Sequence, residues 1–335
     1  MYRTTGTAIL LIALTLGGCA KLGPDFLRPS VSLNEAYHMA PATPVADLVR
    51  SSWWKDLRDP TLTAMINRGL SQNLDIMAAQ ERIVSALASQ RRVGTGLSAQ
   101  ATAAGQVSST EFGNDTAHDV SLDAGYVFDL FGGMARERER FAANVEASVA
   151  QAEAVRLAWL AEIAGSYIDA LYQKELAGLQ RESIKNRQAT VNAIKTRIEY
   201  GEASPIDLSR AEALLNAARA KVPMAEGGYE AAIFRIASLL NESSASIRAQ
   251  IKRRSMPYPP GTPKVGVPAD LLRNRPDIRV AEAQLKAATA AIGMAEADLL
   301  PSLRLGGSVS ATAKSMSFGP ELTLPILGRN SLRAA

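Results

Sequence analysis

A long run without proline dominates the middle of this chain. Between Gly133 and Tyr200 there is no proline, glycine recurs only at Gly165 and Gly178, and alanine, glutamate and arginine are the commonest residues. Such helix formers, with apolar residues spaced by three or four, predict one continuous α-helix. A helix of 68 residues would extend about 100 Å at 1.5 Å per residue. This length argues against an ordinary globule and favours coiled-coil-like packing.

The residues after this run predict a turn and a return helix. Gly201 suits the position that follows a helix, Ser204 an N-cap, Pro205 the first helical turn and Asp207 the acid of a capping box. We therefore expect a second helix, antiparallel to the first, with a kink at Pro223.

An internal repeat brackets the long helices. Shifting the sequence by 202 positions aligns Asp75-Ile76 with Asp277-Ile278, and Val107-Ser108 with Val309-Ser310. Each repeat unit is predicted to be a helix followed by two strands. The strands alternate apolar and polar residues over about ten positions, which is typical of a lipid-facing barrel with a wet lumen and also of a soluble sandwich. Because four strands cannot close a barrel, a barrel would need strands from several subunits.

The same alternation assigns charged residues to one face of the strands. Asp123, Asp129, Arg304 and Glu321 would face the lumen of a barrel. The alternative is a solvated strand face, and neither interpretation requires a specific ligand.

The N-terminus has the features of a bacterial lipoprotein signal. Arg3 precedes an apolar run from Ala8 to Leu16, which is too short for a comfortable membrane span. The next residues end in Gly-Gly-Cys, similar to a lipobox, and Cys19 is the only cysteine. We predict that Cys19 becomes the acylated N-terminus; the alternative is an ordinary signal peptide with an incidental cysteine. Ala20, which is not aspartate, implies sorting to the outer membrane.

Composition argues against a catalytic or metal-binding protein. One cysteine and two histidines exclude a disulfide framework and a thiolate zinc site, so we predict no enzyme activity and no cofactor beyond the lipid on Cys19. The net charge of +4 is interspersed along the helices, without the basic stripe that nucleic acid requires. The charged run from Arg136 to Arg140 is interpreted as a solvated face. Trp53 and Trp54 are expected to pack the N-terminal segment against the helices, with carbohydrate or membrane contact as the alternative.

These features predict a mainly α fold with a small β part, divided into six segments. The boundaries are a lipoprotein signal peptide at 1–18, a lipidated extended segment at 19–60, the first repeat helix and strand pair at 61–132, a long helical hairpin at 133–241, an irregular proline-rich connector at 242–272, and the second repeat helix and strand pair at 273–335.

Several short motifs occur in a fixed order through nearly the whole chain. They are Gly23-Pro24-Asp25-Phe26, Trp53-Trp54, Asp59-Pro60-Thr61-Leu62, Asn73-Leu74-Asp75, Phe128-Asp129-Leu130-Phe131-Gly132, Arg275-Pro276-Asp277-Ile278-Arg279 and Gly319-Pro320-Glu321-Leu322-Thr323-Leu324-Pro325-Ile326. This ordered set resembles the TolC-like outer-membrane factors of tripartite efflux systems, and most of all their NodT-type lipoprotein branch.

The resemblance implies a fold and a function. The fold would be long antiparallel coiled-coil-like periplasmic helices plus four strands contributed to a trimeric transmembrane β-barrel. The protein would be a lipid-anchored outer-membrane homotrimer, a passive exit duct for drugs or toxic compounds. Its partners would be a periplasmic adaptor and an inner-membrane pump, commonly of the RND class. The hairpin turn resembles the tip that meets the adaptor, so Gly201, Ser204 and Asp207 are candidate contacts, although capping alone also explains these residue types.

The sequence departs from the family pattern after the second strand pair. Phe131-Gly132 is followed by the long helical hairpin, whereas the equivalent Leu327-Gly328 is followed only by Arg329 to Ala335. The second hairpin is thus absent from this sequence, and no gating residue of the family can be transferred to it. We therefore hypothesise impaired transport. The alternative function is that of a truncated, lipid-anchored helical scaffold or a non-functional remnant of the family.

Overall fold

A computed structural model describes residues 21–30, 52–93, 96–110, 113–252, 256–258, 272–310 and 314–325. The chain divides into two compact units. The first, here called the sheet unit, comprises Met1–Ser32, Glu81–Ala150 and Asp277–Ala335. The second, the hairpin unit, comprises Leu33–Gln80 and Gln151–Pro276. The predicted signal peptide and Cys19 lie outside the described residues.

The elements follow the order that the repeat predicts, in which one helix of each repeat leads directly into a strand pair. A short 3-10 helix, Trp53–Leu57, precedes them. The helices are α1 (Pro60–Gln72), α2 (Leu74–Arg91), α3 (Gly133–Glu199), α4 (Pro205–Leu240), α5 (Ser244–Gln250) and α6 (Pro276–Asp298), and the strands are β1 (Leu97–Thr110), β2 (Gly113–Phe128), β3 (Ser302–Ser310) and β4 (Ser315–Thr323).

The proline-free run forms the single helix α3, which ends one residue before the predicted end. Its N-terminus is capped by Asp129, whose carboxylate accepts hydrogen bonds from the backbone N–H groups of Met134 (3.1 Å) and Ala135 (2.9 Å). At its C-terminus Gly201 adopts a φ of +74°, and its N–H donates to the carbonyl of Ile198. Glycine accepts this left-handed conformation without steric cost, so the helix stops where the sequence predicts.

The return helix α4 begins with the predicted capping box. The N–H of Asp207 donates to the Ser204 hydroxyl, and the Asp207 carboxylate accepts from the Ser204 N–H at 3.1 Å. Pro205 occupies the first turn, where a missing N–H removes no helical hydrogen bond. Pro223 lies inside α4, which continues past it to Leu240 as one helix. Pro223 therefore does not divide the return helix, and the kink expected there stays a prediction.

The hairpin unit has an apolar core formed around α1, α3 and α4. Trp54, only 2% exposed, lies in this core, which confirms the predicted packing of the N-terminal segment. Asp59 is buried beside it and accepts hydrogen bonds from the N–H groups of Thr61 and Leu62 and from the hydroxyl of Tyr167 at 2.8 Å. The buried carboxylate thus caps α1 and joins it to α3. The largest fully buried side chains of this core include Leu62, Met65, Ile66, Leu160, Ile163, Tyr167, Leu171, Ile233 and Ile236.

The connector predicted to be irregular over residues 242–272 contains a helix, so that part of the prediction is wrong. α5 begins after Ser243, whose hydroxyl accepts a hydrogen bond from the Ser246 N–H at 3.2 Å. Ile247, in the middle of α5, is fully buried in the core of the hairpin unit. The cap and the apolar residue four positions later were the local signal, and the prolines that follow obscured it.

The sheet unit contains one antiparallel sheet with the strand order β1-β2-β3-β4. The two hairpins β1–β2 and β3–β4 come from different repeats, and they meet where β2 pairs with β3 from Ser121↔Ser310 to Phe128↔Leu303. Because paired residues in an antiparallel sheet project from the same side, this register fixes which residues share a face.

Candidate functional site

One face of the sheet is polar. The members whose side chains the structure describes are Thr102 of β1, Ser121, Asp123, Gly125 and Val127 of β2, Ser302, Arg304, Gly306, Ser308 and Ser310 of β3, and Ser315, Ser317, Gly319, Glu321 and Thr323 of β4. We call this set the polar face. The hydroxyls of Ser308 and Ser317 hydrogen-bond across it at 2.8 Å.

The opposite face is apolar and exposed. We call it the apolar face, and its members with described side chains are Leu97 and Ala99 of β1, Val120, Leu122, Ala124, Tyr126 and Phe128 of β2, Leu303, Leu305, Gly307 and Val309 of β3, and Met316, Phe318, Pro320 and Leu322 of β4. Leu122 is 54% exposed, Phe318 73% and Leu322 69%, whereas Asp123 on the polar face is half-buried. A water-soluble sheet buries its apolar face against a core and exposes its polar face. This exposed apolar face therefore requires a non-aqueous neighbour.

The structure brings together three of the four residues predicted to face a lumen. Asp123, Arg304 and Glu321 all lie on the polar face, and Arg304 pairs directly with Glu321 in the register of β3 and β4. Asp129 lies elsewhere: β2 ends at Phe128, and the Asp129 carboxylate caps α3. Its assignment to a strand face was wrong because the alternation was extended beyond the end of the strand.

The turn of the helical hairpin holds the three candidate adaptor contacts. Gly201, Ser204 and Asp207 lie together there, and the Ser204 hydroxyl hydrogen-bonds the Asp207 carboxylate at 2.7 Å, which holds the pKa of Asp207 below its usual value. Two exposed residues beside this turn were not recognised from the sequence. Tyr200 is 78% exposed and Ile206 58%, and large apolar side chains next to a capped, solvent-facing turn were the available signal.

The N-terminal strap, residues 21–30, is held by a buried arginine of α3. Arg136 has a side chain that is 2% exposed. Its Nε donates to the Leu22 carbonyl at 2.8 Å and its Nη2 to the Gly23 carbonyl at 2.7 Å. Its Nη1 contacts the carboxylates of Glu139 at 2.9 Å and Asp25 at 3.0 Å. The interpretation of the Arg136 run as a solvated face was therefore wrong at its first residue.

Close backbone packing and further ion pairs complete the contact of the strap. Gly23 has a φ of +79°, and a Cβ built on it would lie 2.5 Å from the Cα of Gly293 in α6, so only glycine fits there. The Lys21 ammonium donates to Glu139 at 2.7 Å and also pairs with Asp25 at 3.0 Å. These bonds raise the pKa of Lys21 and lower that of Asp25. Burial raises the pKa of Glu139, but the bonds from Lys21 and Arg136 outweigh it and the net shift is downward.

Other common kinds of site are not found in the described part of the chain. Across the described ranges, no group of three or more histidine, cysteine, aspartate or glutamate residues is placed to hold a metal ion. None of the helices in those ranges is both long enough and apolar enough to cross a membrane.

Comparison with known proteins identifies the family. The family model for outer membrane efflux proteins matches residues 65–242 and 267–335. The chain is also 34% identical to nodulation protein T of Rhizobium leguminosarum bv. viciae, over 98% of this chain and 71% of that protein.

This chain is an outer membrane efflux protein. A further relative is the pyoverdine export outer membrane protein OpmQ of Pseudomonas putida, 27% identical over 98% of this chain and 74% of the relative. The family consists of outer-membrane channel proteins that serve efflux systems, which assigns the chain to the outer membrane and to the channel component of such a system.

Solved structures of the family have the same fold. The outer-membrane channel OprN superposes with a TM-score of 0.75 at 27% identity, covering 94% of this chain and 75% of that one. The open state of the MtrE outer membrane channel of Neisseria gonorrhoeae gives a TM-score of 0.74 at 26% identity, over 94% of this chain and 74% of that one. The mainly helical fold with a small antiparallel sheet is therefore that of the efflux channels.

Proposed function

We propose that three copies of this efflux protein pool their sheets into one passive duct through the outer membrane. The observation that carries the proposal is the exposed apolar face, on which Leu122 and Phe318 are largely exposed, opposite a face of polar residues. Such a sheet is stable where its apolar face meets lipid and its polar face meets water. A wall built this way encloses an aqueous path.

The need for several copies follows from the edges of the sheet. β1 and β4 stand at the two ends of the strand order, and within the described part of the chain each has one side without a partner strand. An open edge in lipid leaves backbone N–H and C=O groups without hydrogen bonds, which costs several kcal/mol for each group. Four strands are too few to close around a path, and a homotrimer supplies twelve.

We further propose that the hairpin turn meets a periplasmic adaptor, which links the duct to an inner-membrane pump of the RND class. The exposed Tyr200 and Ile206 offer apolar contact area beside the turn. The capping box of Ser204 and Asp207 keeps the turn in one conformation, so that docking costs little conformational entropy.

Lipid on Cys19 would anchor the duct in the membrane that it crosses. The strap holds Leu22 beside the end of β2, because the Leu22 N–H donates to the Phe131 carbonyl at 3.2 Å. One residue, Ala20, separates Cys19 from Lys21, and an extended chain spans about 3.5 Å per residue. The acyl chains would thus enter lipid close to the point where the sheet joins α3.

In this proposal the protein performs no chemistry of its own. It is not an enzyme and uses no metal or cofactor beyond the covalent lipid, and it does not act on nucleic acid. Small molecules, such as drugs or toxic compounds, would pass through it under the drive of the pump.

The test is the protein mass of the acylated particle extracted from outer membranes in detergent, measured by light scattering corrected for bound detergent. We expect three times the mature chain. A monomer would contradict the pooled sheet and would favour the alternative of a lipid-anchored helical scaffold.

Lipidation is tested separately by labelling cells with radioactive palmitate. Because Cys19 is the only cysteine, the Cys19→Ala variant is expected to lose all label, while Ser204→Ala should keep it. Equal labelling of the Cys19→Ala variant and the unchanged chain would exclude this residue as the anchor.

A further inference from the structure

The polar face carries few charges among many uncharged groups. Among the members whose side chains the structure describes, Asp123, Arg304 and Glu321 are ionisable, and most of the rest are serine or glycine. The register also places Asp115 and Asp119 of β2 on this face. In an aqueous path lined by hydroxyls, isolated charges on the wall dominate the local potential and so decide which ions are enriched. Arg304 is the only cation among these described members.

Arg304 lies flat against the sheet because of a glycine on the neighbouring strand. A Cβ built on Gly125 would lie 2.5 Å from Nε and 3.0 Å from Cζ of Arg304. The guanidinium thus occupies the space that any other residue at position 125 would fill. On β3, the strand of Arg304 itself, a Cβ built on Gly306 would lie 3.6 Å from the Arg304 Nε. The two glycines let a long cationic side chain lie along the wall instead of projecting from it.

One donor of the Arg304 guanidinium is not used in a hydrogen bond within the described part of the protein. The Nε of Arg304 is buried and has no hydrogen-bond partner. Glu321 is its direct neighbour in the register of β3 and β4. Glu321 is exposed, whereas Arg304 is half-buried. Arg304 therefore places a cation on β3, the strand between that of Asp123 and that of Glu321.

We propose that Arg304 is a selectivity-determining residue of the duct, which attracts small anions and partly offsets the carboxylates of the polar face. This inference rests on the proposed function, since the polar face must line an aqueous path. Because carboxylates outnumber Arg304 among the face positions that the register assigns, the unchanged duct is expected to prefer cations. Removing the cation strengthens that preference, and removing Glu321 weakens it.

The experiment measures reversal potentials of the full-length purified protein in planar lipid bilayers under a KCl gradient. In about 0.1 M salt, where the Debye length is about 10 Å, Arg304→Gln is expected to raise the potassium-to-chloride permeability ratio about twofold or more. Glu321→Gln is expected to lower it. In 1 M KCl, where the Debye length is about 3 Å, the differences should nearly vanish.

Matched variants separate charge from structure. Arg304→Lys keeps the charge without the planar group and should retain the ratio of the unchanged protein, and Ser308→Ala changes the same face without a charge. If Arg304→Gln does not assemble, Arg304→Met is the second neutral variant. A duct that conducts with the same ratio in the neutral variant and the unchanged protein overturns the role of Arg304 alone. Absence of any conductance from the unchanged protein overturns the proposed duct together with this inference.

Discussion

Arg136 is expected to control whether the N-terminal strap stays in place. Replacing it with methionine keeps an apolar stem of similar length and removes the guanidinium that donates to the carbonyls of Leu22 and Gly23 at 2.8 and 2.7 Å. The change also removes the contacts with Asp25 and Glu139. The variant therefore tests the hydrogen bonds of the strap without emptying the space beside it.

The hydrogen bonds of Arg136 set the size of the loss in strap docking. A hydrogen bond in which one group is charged contributes about 1.5 to 3 kcal/mol. Because bonds in one network are not additive, we take the lower value for the two carbonyl bonds and expect a loss of about 3 kcal/mol in strap docking. At 1.4 kcal/mol for each tenfold change, the undocked population should rise about a hundredfold.

Chymotrypsin cleavage after Phe26 reports this population. A protease needs an extended, undocked strap, and the rate of cleavage follows the undocked fraction when docking is fast. The rate is measured by mass spectrometry of the fragment that begins at Leu27, at protease concentrations where the rate is linear. Arg140→Met is the matched control, because this arginine lies on the same helix and its guanidinium is 5.3 Å from the ring of Phe141. We expect the control to change the cleavage rate by less than about fivefold, because a cation–π contact near the surface contributes about 0.5 to 1 kcal/mol.

If Arg136→Met and Arg140→Met are cleaved after Phe26 at similar rates, the buried guanidinium does not hold the strap. Stability would then reside in the close packing of Gly23 on Gly293, and a Gly23→Ala variant would show the larger effect.

Three further predictions concern stability and are checked by denaturant or thermal unfolding. Gly69→Ala places a methyl group against a buried tryptophan ring and 2.9 Å from the Leu240 side chain, so we expect a loss of about 1 to 3 kcal/mol; Gly227→Ala, with open space around it, should be neutral or stabilising. Tyr167→Phe removes one of the hydrogen bonds to a buried carboxylate and should cost about 1.5 to 3 kcal/mol; an unchanged midpoint would contradict that role. Ser204→Ala should cost about 1 kcal/mol. The pKa of Asp207 is lowered in the fold. Its contribution to the free energy of unfolding is therefore present above the ordinary carboxyl pKa of about 4 and is lost as the pH falls through the lowered value. The cost of Ser204→Ala should shrink below that pH.

The helical part of the fold was predictable because its signals are local. The absence of proline sets the length of α3, and Gly201, Ser204 and Asp207 each act through bonds to residues a few positions away. The helix α5 carried an equally local signal in Ser243. The faces of the strands also followed from their alternation, whereas the pairing of β2 with β3 depends on contacts between the two repeats, which a local pattern does not specify.

The candidate site was only partly predictable, for physical reasons visible in two residues. Asp129 has the right residue type for an alternating strand, but it lies beyond the last strand residue, and element boundaries depend on capping geometry. Arg136 looks like its neighbours in a charged run. Its burial comes from a strap more than a hundred positions away in sequence, so no local pattern distinguishes it from a solvated arginine.

The way the sheet is assembled from the two repeats determines the order in which the protein can fold. The hairpins β1–β2 and β3–β4 join residues that are close in sequence, whereas β2 and β3 are separated by all of α3, α4 and α6. Closing so large a loop costs chain entropy before strand pairing repays it, so this step is intrinsically slow. The helical hairpin should therefore form first and bring the strand pairs together late. Until then the apolar strands are open to aggregation, and a cell that makes this protein must protect a half-folded chain on its way to the membrane.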